Sequence, residues 1–358
     1  MNILSEAMKE ILYPSHINRI PDHLCYYKQY KASALLHLYL YSFPFVFKRR
    51  ESHISQVINT SFRRLIMGFS LSLHLLLADR LNKTMSVGAI MRARHSAASS
   101  LVREFLHSAT ILVGQSRMTY NFHQLLHLVD NYFDFGPLYE ISAFPHESNL
   151  GALRSMIYGT NVHIADKEIC NKFAMYQCLA GKLSSCEISV AKLTGKASSK
   201  SSLSDASSQA LDSYLSNIEG ADQMTIKVFK RGYLANGYLL HVSTLTSHET
   251  PRCDSFYLLS SGNVGEILYL LEVLDVERKI FLAVVNVVGS KETQFPWVND
   301  YDKLAVTVDH PVFFVKKPTL GQHIEVLPIE ELKEPVMVTR NTSSATQFMS
   351  TTFFMSKN

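Results

Sequence analysis

The spacing of apolar residues changes once along the chain. From residue 1 to about 186 apolar residues recur every three or four positions, as in Phe62, Leu65, Ile66 and Phe69, which predicts α-helices that bury one face. After about residue 223 the chain consists of short β-branched and aromatic runs between turn residues, which predict strands. The pattern therefore predicts an α+β fold, with a helical region over residues 1–190 and a small β-barrel-like domain over residues 223–340.

The strongest local signal in the second half is a hairpin. Phe256–Leu259 and Val264–Leu274 are apolar runs separated by Ser260, Ser261, Gly262 and Asn263. Gly and Asn tolerate the positive φ angles that tight hairpin loops require. We therefore predict that these two runs pair in antiparallel fashion.

Two segments are predicted to lack packed structure. Residues 191–222 contain mostly Ser, Ala, Lys and Asp, and so little apolar surface does not offset the entropy of ordering a chain. We expect a Ser-rich linker there. Residues 341–358 are polar and follow the last predicted strand, and we expect a disordered tail.

Composition narrows the class of protein only modestly. With 358 residues, of which 47% are hydrophobic and 18% charged, the chain is long enough for about two globular domains. A net charge of +4 is compatible with a polyanionic partner but does not identify one. The five cysteines form no C-x-x-C pair, which favours a reducing compartment over a disulfide framework.

Two apolar runs invite comparison with membrane spans. They are Ala34–Phe47, which contains Pro44, and Leu65–Ala78, which contains His74. Spanning a bilayer takes roughly 20 apolar residues, so we interpret both runs as buried helices. The first residues of the chain also lack the basic flank and continuous apolar core of a signal peptide. We expect no membrane partner.

Candidate chemistry is concentrated in the segment YNFHQLLHLVDNYFDFGPLYEISAFPHESNLGALRSMIY, residues 120–158. His123 and His127 are four residues apart, so on a helix their side chains lie on one face and could bind Zn²⁺ as half of a site. The alternative is a pair of partly buried helix histidines without a metal. Gly136 and Pro137 should end this helix.

A second helix is predicted to begin around residues 142–145 and to carry Glu147 in its first turn. A carboxylate there is favoured by the helix dipole whether or not it has a function, so Glu147 is either a solvated helix-terminal residue or a metal ligand. Arg154 lies two turns further on, where it would either meet a phosphate oxygen or remain a surface arginine.

The order of these residues resembles a known family. His-x-x-x-His, Asp, Phe-Gly-Pro-Leu, Ser-Ala-Phe-Pro and Glu, followed by a helix of small residues, is similar to the last catalytic segment of CACTA-type DNA transposases and, more faintly, of the Transib-like V(D)J recombinase. Residues 254–267 resemble the small β domain that often follows. Upstream, KASALLHLYLYSFPFVFKR resembles a family helix through Lys31, Ala32, Leu36, Tyr41 and Pro44, although Ala34 and His37 depart from its usual charged residues and His146 replaces an aromatic residue.

The resemblance implies an RNase H-like core whose two aspartates and one glutamate hold Mg²⁺ for DNA cleavage and strand transfer, with a helical insertion before the glutamate. Glu147 occupies the position of that glutamate. The family's two aspartates and the cysteine pair that completes its zinc site correspond to positions upstream of Met1, so this polypeptide is expected to be catalytically incomplete alone. The resemblance further implies DNA as partner and the nucleus as location.

Two other functions fit the sequence. The chain could be a non-catalytic binding module of transposon origin, with the helical half forming a homo-oligomer and the β domain contacting nucleic acid or chromatin. It could also be an α+β protein of unrelated function. Upstream sequence encoding two aspartates and a C-x-x-C would favour the enzyme over both.

Overall fold

A computed structural model describes residues 2–17, 19–21, 23–49, 58–77, 87–143, 150–151, 154, 156–157, 162–184, 191–218, 224–243, 252–274, 279–292, 314–316, 323–339 and 348–350. The predicted α+β class is confirmed: helices dominate the first half and strands the second.

The helices of the first half are α1 (Asn2–Lys9), α2 (Ala32–His37), α3 (Phe43–Arg49), α4 (Thr60–Leu77), α5 (Val87–Val113), α6 (Tyr120–Phe135) and α7 (Val162–Ser184). A π-helical turn, Leu38–Ser42, joins α2 to α3, and short 3-10 helices cover Leu24–Gln29 and Gln115–Arg117. α4 packs along α5, and α5 along α6.

The core of this half surrounds α4. Both apolar runs that resembled membrane spans contribute to it, through buried residues such as Phe45, Phe47 and Leu76. Two polar side chains inside the core have backbone partners: Ser70 donates to the Tyr39 carbonyl at 2.6 Å, and His74 Nε2 lies 2.8 Å from the Leu40 carbonyl oxygen. Satisfying buried polar atoms in this way avoids the cost of desolvating them unpaired.

The strands are β1 (Ile11–Leu12), β2 (Ala191–Thr194), β3 (Ser198–Ser199), β4 (Thr225–Phe229), β5 (Arg231–Leu234), β6 (Leu239–His241), β7 (Phe256–Leu259), β8 (Asn263–Leu274), β9 (Lys279–Glu292), β10 (Phe314–Lys316), β11 (His323–Pro328), β12 (Leu332–Thr339) and β13 (Phe348–Ser350). They form a ten-stranded sheet in the order β11-β9-β10-β13-β12-β7-β8-β4-β3, with β1 added on β12, and a three-stranded sheet β2-β5-β6.

The predicted hairpin is confirmed. β7 pairs with β8 in antiparallel register, with Tyr257 opposite Gly265. The loop turns at Gly262, which has φ of +84° and donates its N–H to the Leu259 carbonyl at 2.9 Å. A side chain at this φ would be strained, which explains why glycine marked the turn in the sequence.

The predicted Ser-rich linker is wrong as a description of residues 191–218. This stretch holds β2, β3 and a helix, α8 (Asp205–Leu215). Ser204 caps α8 by accepting the Ser207 N–H, and Leu211 and Leu215 are buried against β4, β8 and β9. Ser204 therefore caps the helix and Ser207 is buried on the same face as Leu211, while leucines four apart supply packing that the composition of this stretch did not reveal.

The predicted disordered tail also differs in part. Phe348–Ser350 forms β13, which pairs with both β12 and β10. The other residues from 341 to 358 lie outside the described ranges. Backbone hydrogen bonds to β10 and β12 thus stabilise β13, which the sequence did not predict because the residues around it are polar.

The first residues of the chain join the two halves. β1 pairs with β12, and Tyr13 bridges Arg252, with the Cys253 N–H donating to the Tyr13 carbonyl at 3.0 Å. Met337 of β12 is correspondingly part of the helical core. The N-terminal segment is therefore packed against the strands rather than confined to the helical half.

Candidate functional site

The predicted histidine helix is present as α6, and its C-terminal end is tied to a neighbouring helix. It stops where the sequence predicted, because Gly136 takes φ of +88° and donates its N–H to the Tyr132 carbonyl at 2.9 Å. The Leu138 N–H then donates to the Leu76 carbonyl at 2.9 Å. The turn after α6 is thereby tied to the end of α4.

The inner face of α6 is anchored on α5. Val129 and Tyr132 are buried, and the Tyr132 hydroxyl is hydrogen-bonded to Arg94, a fully buried arginine of α5. Burial raises the pKa of Tyr132, and the nearby Arg94 cation opposes that rise. With this face held, the opposite face of α6 presents His123, His127 and Asp130 to solvent.

The two histidines lie side by side. Their ring centroids are 5.0 Å apart and the rings are nearly perpendicular. His127 Nδ1 is 3.6 Å from one Asp130 carboxylate oxygen, and His95 Nε2 of α5 is 3.9 Å from the other. These separations are longer than hydrogen bonds, so the group is a loose electrostatic cluster on an exposed surface.

The donor set matches half of a zinc site. A structural zinc ion takes four ligands at about 2.0–2.3 Å, whereas nowhere in the described residues are three or more His, Cys, Asp or Glu side chains arranged to hold a metal. His123 and His127 could supply two ligands to an ion completed from elsewhere. They do not bind it as a complete site by themselves.

The other predicted site residues are less well placed. Glu147, the predicted Mg²⁺ ligand, lies outside the described residues. Arg154 has a helical backbone conformation and an exposed side chain, and its carbonyl accepts the Ile157 N–H at 3.2 Å. The structure thus brings together His123 and His127 among the predicted site residues.

A second polar group, missed by the sequence analysis, lies where the N-terminal segment meets the strands. The buried Asp254 carboxylate accepts the Ser15 N–H at 2.7 Å and the Ser15 hydroxyl at 2.5 Å. His241 Nδ1 lies 3.9 Å from the same carboxylate. Arg252 donates to the carbonyls of Pro14 and Ile17.

We call this group the Asp254 cluster; it consists of Ser15, His16, His241, Arg252 and Asp254. Its hydrogen bonds hold the N-terminal segment against the strands of the second half. The Ser15 hydroxyl donates to a carboxylate rather than to a histidine base, so it is not arranged as an activated nucleophile. The His16 ring lies 5.1 Å from the Tyr238 ring, and burial lowers the pKa of His16 to about 4.

Different signals could have revealed these two groups. Asp130 is three residues after His127, so helical spacing places it on the same face. His95 carries no sequence signal because it comes from another helix. Ser15 and Asp254 are 239 positions apart, and their contact follows only from the fold.

Comparisons with known proteins identify no relative from which a function could be inferred. No family model, curated protein or solved structure matches the chain. Across the described residues, the helices are too short or too polar to cross a bilayer.

Proposed function

We propose that the chain is the C-terminal part of a CACTA-type cut-and-paste DNA transposase, or of a protein domesticated from one. The observation that carries the proposal is the ordered motif of residues 120–151. Its support in three dimensions is a helix that exposes His123 and His127 together and ends at Gly136.

The proposal assigns Glu147 as one of three carboxylates that hold Mg²⁺. Mg²⁺, when bound, would position and polarise the phosphodiester for cleavage and strand transfer. Arg154, exposed and following Glu147 in sequence, would contact a DNA phosphate. His123 and His127 would contribute to a zinc site whose other ligands come from outside the described residues.

The proposal also includes two finer features of the fold. The helical half would be the insertion and last helix of an RNase H-like core. The strands would form a barrel-like domain, and this is supported by a series of pairings that runs from β8 through β9, β10, β13, β12 and β7 and returns to β8.

The proposal is tested by Glu147→Gln in a protein that carries a family N-terminal region, with its two aspartates, before Met1. Mg²⁺-dependent nicking and strand transfer should be lost, because a neutral amide is a poor replacement for a carboxylate ligand of Mg²⁺. Both reactions are measured on labelled DNA with transposon ends.

Glu140→Gln is the matched control, since Glu140 is an exposed carboxylate just after α6 and should be dispensable. If the extended protein is active and Glu147→Gln retains that activity, Glu147 is not the third acidic ligand and the proposed relationship fails in this segment.

One observation favours the alternative of a non-catalytic module that self-associates. α7 is 23 residues long, and it exposes Phe173 and Tyr176 with about half of each side chain accessible. A helix is stabilised mainly by burying an apolar face, and Phe173 and Tyr176 are neighbours one turn apart. We propose that α7 pairs with a second copy of the chain.

The prediction is that Phe173→Glu shifts the chain from dimer to monomer and raises the dissociation constant at least tenfold, because a charge would be buried in the pairing surface. Sedimentation equilibrium measures the shift. Asn171→Glu, an exposed position on the opposite side of α7, should leave the equilibrium unchanged. A wild-type chain that remains monomeric at high concentration excludes this pairing.

A further inference from the structure

The three-stranded sheet β2-β5-β6 has two faces of different character. Its strand register places Ala191, Leu193, Gly232, Leu234 and Leu240 on one face, and these residues contact the core below. We call the opposite face the β5 face, and it consists of Lys192, Thr194, Arg231, Tyr233, Leu239 and His241. Lys192, Arg231 and Tyr233 are exposed, and the other three are half-buried.

Close packing on the inner side of this sheet fixes the backbone that carries the β5 face. Leu193 lies directly across Gly232, so that a Cβ added to Gly232 would come within 2.7 Å of a Leu193 methyl carbon. Leu240 is fully buried beside them. The strands are therefore held close to their core, and the outward side chains are presented from a fixed backbone.

The β5 face carries cations without carboxylates. Lys192 and Arg231 are exposed on adjacent strands, and two further exposed lysines, Lys196 and Lys230, follow β2 and precede β5 in sequence. None of its six outward positions is Asp or Glu. The Asp254 carboxylate, 3.9 Å from His241 Nδ1, is buried and accepts the Ser15 hydroxyl.

An aromatic ring lies among these cations. Tyr233 is 45% exposed and is directly opposite Lys192 on one side and Leu239 on the other. Arg231, two positions earlier on β5, points to the same side and is opposite His241. Burial lowers the pKa of His241, the Asp254 carboxylate opposes this effect, and the Arg231 cation is close enough to add a smaller lowering.

We propose that the β5 face binds single-stranded nucleic acid, with a base stacked on Tyr233 and the flanking phosphates held by Lys192 and Arg231. An exposed aromatic ring between basic side chains on a sheet surface offers a stacking platform and backbone charge together. A duplex hides its base faces, so the ring favours an unpaired strand. This inference does not depend on Glu147 or on the family resemblance.

The experiment measures binding of the full chain to fluorescein-labelled oligomers of 12 nucleotides: oligo-dT, oligo-U and a mixed-sequence duplex. Tyr233→Ala should weaken binding to oligo-dT at least fivefold, whereas Tyr233→Phe should retain most of the affinity because the ring remains. Lys192→Ala and Arg231→Ala should each reduce the slope of log affinity against log salt by about 0.7.

Two matched controls test whether binding depends on the β5 face or on any exposed lysine or tyrosine of the chain. Tyr26→Ala removes a tyrosine that is 52% exposed elsewhere on the chain, and Lys333→Ala removes an exposed lysine of β12. Neither should change affinity or salt slope. Thermal melting of each variant shows whether it is folded.

The outcomes distinguish the sources of binding. Tighter binding of oligo-dT than of oligo-U assigns the face to DNA, and the reverse assigns it to RNA. Binding that Tyr233→Ala leaves unchanged, equal binding of the duplex, or absence of binding overturns the proposal. Because the test requires no catalysis, it stands or falls separately from Glu147→Gln.

Discussion

Replacing Leu211 with alanine is expected to lower the free energy of unfolding by about 2–5 kcal/mol, the range for truncating a fully buried leucine. The Leu211 side chain is inaccessible to solvent and packs with Leu215 against the strands. Removing three carbons there leaves a cavity between α8 and the sheet. A Ser-rich linker would give no such effect.

Urea denaturation of the purified variant measures this change directly. Gln209→Ala is the control, because Gln209 is an exposed position of the same helix and alanine is a good helix former. That variant should differ from wild type by less than about 0.5 kcal/mol. A Leu211→Ala variant as stable as wild type would mean that α8 contributes no packing and that the linker interpretation was right.

Elements that depend on local chemistry were predicted well from the sequence. Gly262 requires a positive φ and Gly136 ends α6, and both residues report backbone conformations that few other residues adopt. The same reasoning located His123 and His127 on one helix face. In each case the cause of the structure lies within a few residues of the signal.

Elements that depend on partners were not predictable in this way. The leucines of α8 are diluted by serine and alanine, so their spacing is weak evidence until β8 and β9 provide a surface to cover. The loose contact between His95 and Asp130 joins two helices, and Ser15 reaches Asp254 from the far end of the chain. Such contacts are consequences of the fold rather than of local sequence.

The β5 face shows the same limit for function. Its cations and its aromatic ring come from residues 192–194, 231–233 and 239–241, and only the strand register places them on one side. In sequence Lys192 belonged to the predicted linker. A motif search reads each segment separately and therefore finds no site there.

The chain is expected to lose stability as pH falls from about 6.5 to about 4, and His16 is a main cause. Burial is the largest contribution that lowers the pKa of His16 from 6.5 to about 4, and the His37 and Arg252 charges add to it. Over this interval the unfolded chain binds a proton that folded His16 resists, so acid favours unfolding. Burial also lowers the pKa values of His37 and His241, so their contributions have the same sign.

The test compares wild type and His16→Gln by urea denaturation at pH 7.5 and pH 4.5. Glutamine keeps a polar side chain of similar length but does not titrate. Between pH 7.5 and pH 4.5 the free energy of unfolding of the variant should therefore fall by about 2–3 kcal/mol less than that of wild type, at about 1.4 kcal/mol per pKa unit. Carboxylates also titrate in this range, but they are common to both proteins and cancel in the difference. His107→Gln, at an exposed position of α5, should follow the wild-type profile. If His16→Gln also loses as much stability as wild type, His16 is not held neutral in the folded chain, and acid sensitivity must come from other groups.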